Sequence, residues 1–273
     1  CDCGSGKYKR VCTCAEYPAP DPEKDKDPTP VPDPEVGGEN QGGGEGNGSV
    51  NPAVSTRFSN ASSLGLQDRE KLNEALEQLL GDCVYGKIDA ALNSNLWEKT
   101  TLEIEIGGTS GQASISSNNV FRFGSSDDIT TDALTHEWLH LYQRYCGGID
   151  VFNSSYGGMA EFERSLFEDI IIYLKNEGSI ERAKGDLITF NSWIQNLTGP
   201  EARAMRTDYI NWLGELCKNN QPPTEIDQGM FMEWCKRYGK NVRVYSNMGY
   251  DFENENYGTK SLMDLLEIIR DCF

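Results

Sequence analysis

Residues 130–148 read TTDALTHEWLHLYQRYCGG, and this stretch decides the fold class. Thr130, Thr131 and Asp132 are all suitable N-cap residues, whose side-chain oxygens take up the free N–H groups of a first helical turn. ALTHEWLHLYQRY follows with helical spacing, and Gly147-Gly148 supplies the stop. Upstream the period is different. TLEIEI at 101–106, ASIS at 113–116 and VFRF at 120–123 alternate apolar and polar side chains, with Gly107, Gly108, Gly111, Asn118 and Asn119 between them. That pattern predicts a strand meander with one buried face. Downstream, helical patterns are predicted at about 159–176, 179–196, 200–218, 228–238 and 260–271. Two more precede the strands, at 66–80 and about 84–95. Leu72, Leu76, Leu79 and Leu80 share a face of the first, which Gly81 ends. Residues 241–258 look irregular, with one short strand. Strands grouped together and then helices grouped together predict an α+β class, not a doubly wound α/β sheet.

The chemistry lies in the centre of the quoted stretch. His136, Glu137 and His140 form H-E-x-x-H. Residues four apart lie on one face of a helix, so both imidazoles can bind a single Zn²⁺ at about 2.0–2.1 Å. Glu137 falls beside the open coordination position, where it can take a proton from metal-activated water. The neighbours Leu134, Thr135, Trp138, Leu139 and Leu141 are uncharged, as a buried helix requires. The chain has two histidines in all, and both are in this motif. Random placement would give that spacing with Glu second on the order of one time in a thousand. The competing reading is a core helix with two structural histidines, each of which would need its own buried partners.

ALTHEWLHLY after a group of strands resembles the zincin metallopeptidases, over roughly residues 100–170. The resemblance implies a zincin-like fold and peptide hydrolysis on a peptide or protein substrate. It also implies an edge strand beside the cleft that pairs with extended substrate. VFRF at 120–123 is the candidate for that strand. Two histidines leave zinc one protein ligand short. The metzincin pattern is excluded, because Gln143 stands in its Gly position and no third His exists. The third ligand is therefore Glu, Asp or Cys, which matches the gluzincin branch, whose Glu lies on a following helix. Glu161, Glu163, Glu168 and Asp169 in GGMAEFERSLFEDI are the candidates. The thermolysin-like spacing implies Glu161, which shares a helix face with Ser165 and Glu168. Ala160 and Ser165 replace the Asn and Asp of that family's pattern. Tyr245, Tyr250 and Tyr257 are possible oxyanion donors. The five tryptophans, at 97, 138, 193, 212 and 234, are scattered and read mostly as core residues.

Composition bounds the rest. The formal net charge is −18, which argues against nucleic acid and against attraction to anionic lipid. No run of about 18 apolar residues is present to span a membrane. Residues 15–50 are rich in Pro and acid, then in Gly, and contain almost no large apolar side chains. Such a segment cannot offset its ordering entropy and reads as a disordered tether between a Cys-rich stretch (1–14) and a domain (51–273). Nine cysteines occur. A chain that starts at Cys1 and runs into a polar tether resembles a mature bacterial lipoprotein, which implies a lipid anchor at Cys1 and an extracytoplasmic site. The eight others, an even number, suit disulfides in an oxidising compartment. A catalytically inactive binding or scaffold lipoprotein on the same fold is the alternative function. A zinc hydrolase acting on something other than a peptide would use the same residues.

Overall fold

The computed structural model describes residues 50–108, 113–192, 194, 199–242 and 249–273. The Cys-rich stretch with Cys1, the tether through residue 49, Gly111, Trp193 and Tyr245 lie outside them. So do residues 243–248 of the irregular stretch, 241–258, in which a short strand is predicted. Val50–Phe273 forms one compact unit, and its class is mixed α+β.

After a short helix α1 (Pro52–Ser55) come α2 (Leu66–Gly81) and α3 (Cys83–Leu92). Leu72, Leu76 and Leu79 of α2 are buried, as the spacing predicts, and Leu80 packs against the same core. Asp82 caps α3 by accepting from Val84 N (2.9 Å) and Tyr85 N (3.3 Å). A π-helical turn, Asn93–Trp97, follows α3.

Three strands come next: β1 (Glu103–Ile106), β2 (Ala113–Ile115) and β3 (Val120–Phe123). They match the alternating segments, but not the predicted meander. The order is β1-β3-β2, with β1 parallel and β2 antiparallel to β3. The expectation that VFRF forms the edge is therefore corrected: β3 is the central strand. Phe121 and Phe123 are buried on one face, and Val120 is buried too, as suits a strand paired on both sides. Both outer edges are met by side chains. Asn60 caps β1, donating to Ile104 O (2.9 Å) and accepting from Ile104 N (2.8 Å). The outer edge of β2 faces α4.

Helix α4 (Thr131–Tyr145) carries the quoted motif, and Thr130 Oγ1 caps it by accepting from Ala133 N. α4 packs on α2, α3 and β2, and on α5. Trp138 sits in a cluster of rings with Phe58 (6.0 Å) and Phe121 (6.4 Å). Its indole N–H donates to the buried Asp89, which also accepts from Trp97 and pairs with Arg57.

Helix α5 (Ser154–Lys175) begins five residues earlier than the spacing suggests, with Asn153 as its cap. Gly157 and Gly158 lie in the first turns of this helix. Here they serve close approach: a Cβ on Gly157 would lie 3.0 Å from Tyr250 Cε1, and one on Gly158 would lie 2.7 Å from Phe252 Cζ. The C-terminal segment can thus lie against the first turns of α5.

The helix predicted over 179–196 is instead α6 (Ile180–Ala183) and α7 (Ile188–Ser192). Asp169 explains the break. Its carboxylate accepts from Ile188 N and Thr189 N, starting a new helix there. α8 (Pro200–Leu216), α9 (Gln228–Asn241) and α10 (Lys260–Ile268) complete the order. Trp212 and Trp234 are core residues stacked at 5.8 Å. A disulfide joins Cys83 to Cys272. Among the described residues Cys146, Cys217 and Cys235 are free thiols.

Candidate metal centre

α4 turns His136, Glu137 and His140 towards α5, which brings Glu161 to meet them. His140 Nε2 lies 3.2 Å from His136 Nε2 and 3.2 Å from Glu161 Oε1. His136 Nε2 is 4.0 Å from Glu161 Oε2. One ligand atom from each of the three residues falls within 4.8 Å of the others. The His136 side chain is 33 % exposed, against 9 % for His140 and 13 % for Glu161. The cluster therefore meets solvent on the His136 side.

The donor set fits a metal ion. Ligands held tetrahedrally at about 2.0–2.1 Å from one centre sit roughly 3.3 Å from each other, close to the spacing found here. Two imidazoles and a carboxylate are the ligand types that zinc takes. A proton on His140 or a metal ion would each satisfy polar atoms packed this closely. Burial disfavours a charged His140, yet the adjoining Glu161 outweighs it and raises the ring to about 9. Burial and the Arg164 charge push His136 well below its ordinary value. Burial also opposes the charge on Glu161, but His140 and Arg164 hold that carboxyl well below the usual range. The three residues could hold a metal ion.

Glu137 is separate from this trio but touches it. Its Oε1 is 3.7 Å from His136 Nε2. Its Oε2 accepts a hydrogen bond of 3.1 Å from the Ile115 N–H on the outer edge of β2. Burial pushes the Glu137 carboxyl up to about 7.

The remaining sequence candidates fall elsewhere. Glu163 is fully buried, accepting from Gln143 Nε2 (3.0 Å) and from the Tyr257 hydroxyl (3.0 Å). Glu168 pairs with Arg164 at 2.5 Å. Asp169 is the cap of α7 and accepts from Tyr209 OH. None of the three joins the histidines. Tyr257 is spent on Glu163. Tyr250 stays close, half-buried over Gly157, with the charges of Glu161 and Glu137 adding to the effect of burial in raising its phenol.

Sequence reasoning missed three residues that shape the centre. Arg164 Nε lies 3.3 Å from Glu161 Oε2 and so occupies the carboxylate oxygen that does not face His140. Gln143 Oε1 meets His140 Nδ1 at 2.9 Å. Ile115 holds Glu137. The first two sit three residues after a ligand, a spacing that places side chains together on a helix. The third is a backbone group, which side-chain identity does not reveal.

The chain matches no protein-family model, no curated protein and no solved structure.

Proposed function

We propose that the protein is a zinc-dependent metallopeptidase of zincin-like type, with His136, His140 and Glu161 as ligands and Glu137 as general base. The observation that carries this reading is the convergence of His136 Nε2, His140 Nε2 and Glu161 Oε1, with a buried carboxylate at its margin. Bound zinc would supply a Lewis acid that polarises a carbonyl and makes water acidic enough to react near neutral pH.

The protein's own groups do the rest. Ile115 N–H holds Glu137 Oε2, leaving Oε1 turned towards the ligands. There Glu137 accepts the proton of the attacking water and passes it to the leaving amine. β2 lies alongside the centre, with its outward Ile115 N–H taken up by Glu137. The Cys83–Cys272 disulfide supports an extracytoplasmic setting.

The test is metal analysis with activity on mixed peptide libraries, with and without chelator, for the wild type and Glu137→Gln. The variant should carry about one zinc per chain, like the wild type, yet lose cleavage by orders of magnitude. Chelator-sensitive cleavage that persists undiminished in Glu137→Gln would rule out the mechanism. A zinc-loaded wild type that cleaves nothing across the library would favour the scaffold alternative.

A further inference from the structure

Gln143 and Glu163 are both completely buried, and neither touches the open side of the centre. The Gln143 amide has three polar neighbours. Its Nε2 lies 2.9 Å from Ala160 O and 3.0 Å from Glu163 Oε1. Both of those are acceptors, so the amide must present its NH₂ to them. Its oxygen therefore faces His140 Nδ1, 2.9 Å away. An acceptor at that distance requires a hydrogen on Nδ1. In the neutral ring Nε2 then carries the lone pair, and Nε2 is the atom that faces His136 and Glu161.

The arrangement also crosses the helix interface. Gln143 lies one turn beyond His140 on α4, while Ala160 and Glu163 flank Glu161 on α5. Tyr257 OH holds the second oxygen of Glu163 at 3.0 Å, fixing the carboxylate from the C-terminal segment.

We propose that Gln143 and Glu163 form a positioning relay that locks His140 in the Nδ1–H tautomer and sets how tightly the centre holds a divalent cation. The proposal rests on the reading of His136, His140 and Glu161 as metal ligands. Partners of this kind on a ligating histidine fix ring orientation and raise its basicity, and losing one costs about 10–100-fold in metal affinity.

The experiment is zinc titration of the full chain against a chromophoric chelator, with imidazole ¹⁵N NMR. The chain has only two histidines, so their ring signals are assignable. The zinc-loaded wild type should show His140 protonated at Nδ1 and metallated at Nε2. Gln143→Met keeps the size of the side chain and removes its hydrogen bonds, and should weaken zinc binding about 10–100-fold. Glu163→Leu should act in the same direction. Glu163→Gln still offers an oxygen to the Gln143 amide and should stay within about threefold of wild type. Asp169→Asn is the control, since it perturbs another buried carboxylate of α5 that does not reach the histidines; it should leave zinc affinity unchanged. Zinc bound through Nδ1 of His140 in the wild type would overturn the relay, even if every variant failed to fold. Unchanged affinity in Gln143→Met and Glu163→Leu would overturn it while leaving the metal centre standing. A wild type that binds no zinc would remove both.

Discussion

The backbone N–H of Ile115 donates to Glu137 Oε2 at 3.1 Å, tying the outer edge of the sheet to the centre of the H-E-x-x-H motif. One carboxylate oxygen is thereby held and the other remains turned towards the histidines. Glu137→Gln can keep this hydrogen bond through its amide oxygen, whereas Glu137→Ala leaves the Ile115 N–H without it. Glu137→Ala should therefore lose stability by about 1–3 kcal/mol relative to Glu137→Gln, although both remove the carboxylate. Urea denaturation of the two variants checks this, and equal midpoints would show that the bond contributes nothing.

The choice among the four acids of α5 is open to direct measurement. Glu161→Ala removes the carboxylate that meets His140 Nε2 at 3.2 Å, so zinc binding should fall furthest in this variant. Glu168→Ala and Asp169→Ala should hold zinc better, because those carboxylates pair with Arg164 and cap α7. Chelator competition across the series decides it. A larger loss in Glu168→Ala than in Glu161→Ala would contradict the ligand assignment.

Asp89 is the polar anchor beneath the motif helix. It accepts from both Trp97 Nε1 and Trp138 Nε1 at 3.1 Å and pairs with Arg57. Asp89→Ala deprives the half-buried Arg57 guanidinium of its carboxylate and leaves two indole N–H groups without this acceptor. A stability loss of about 2–3 kcal/mol is expected. Denaturant unfolding measures it, and a loss below about 1 kcal/mol would mean that water replaces the carboxylate.

The Cys83–Cys272 bond closes a loop across a sequence separation of 189 residues. Loop-closure entropy at that length is worth roughly 5 kcal/mol as an upper figure, and about 2–5 kcal/mol is the usual range for loss of a native bond. Cys272→Ser should lower the urea midpoint, and reductant should bring the wild type down towards the variant. Identical midpoints would show that the bond adds no stability.

Asp82 supplies a pH signature. Partial burial works against its charge, but Lys175 (2.7 Å) and two backbone N–H groups outweigh that and hold its carboxyl below the ordinary value. A folded-state pKa below the unfolded one stabilises the fold above the unfolded pKa. That stabilisation is lost as pH falls through the folded value. Asp82→Asn keeps a cap oxygen and removes the charge. It should be less stable than wild type at pH 7, by about 0.2–1 kcal/mol for an ion pair this open to solvent. The gap should close below about pH 4. A gap independent of pH would assign the effect to capping alone.

The local periods were legible in the sequence alone, because a helix or strand repeats its faces over a few neighbouring residues. His136 and His140 share a face by spacing, and Leu72, Leu76 and Leu79 point inward by the same rule. The scarcity of histidine marked the candidate metal centre without any fold. Which residues from distant segments meet them depended on packing. Tertiary structure placed β3 between its neighbours, since alternation marks a strand but not its partners. It also separated Glu161 from Glu163, two carboxylates two residues apart on one helix, which face different neighbours. Asp169 looked like a possible ligand and proved to be a helix cap, because the N–H groups it accepts from belong to residues 188 and 189. Gln143 carried no sequence signal beyond its spacing from His140. Its role arises where α4 meets α5, from two buried acceptors that leave the amide only one way to turn.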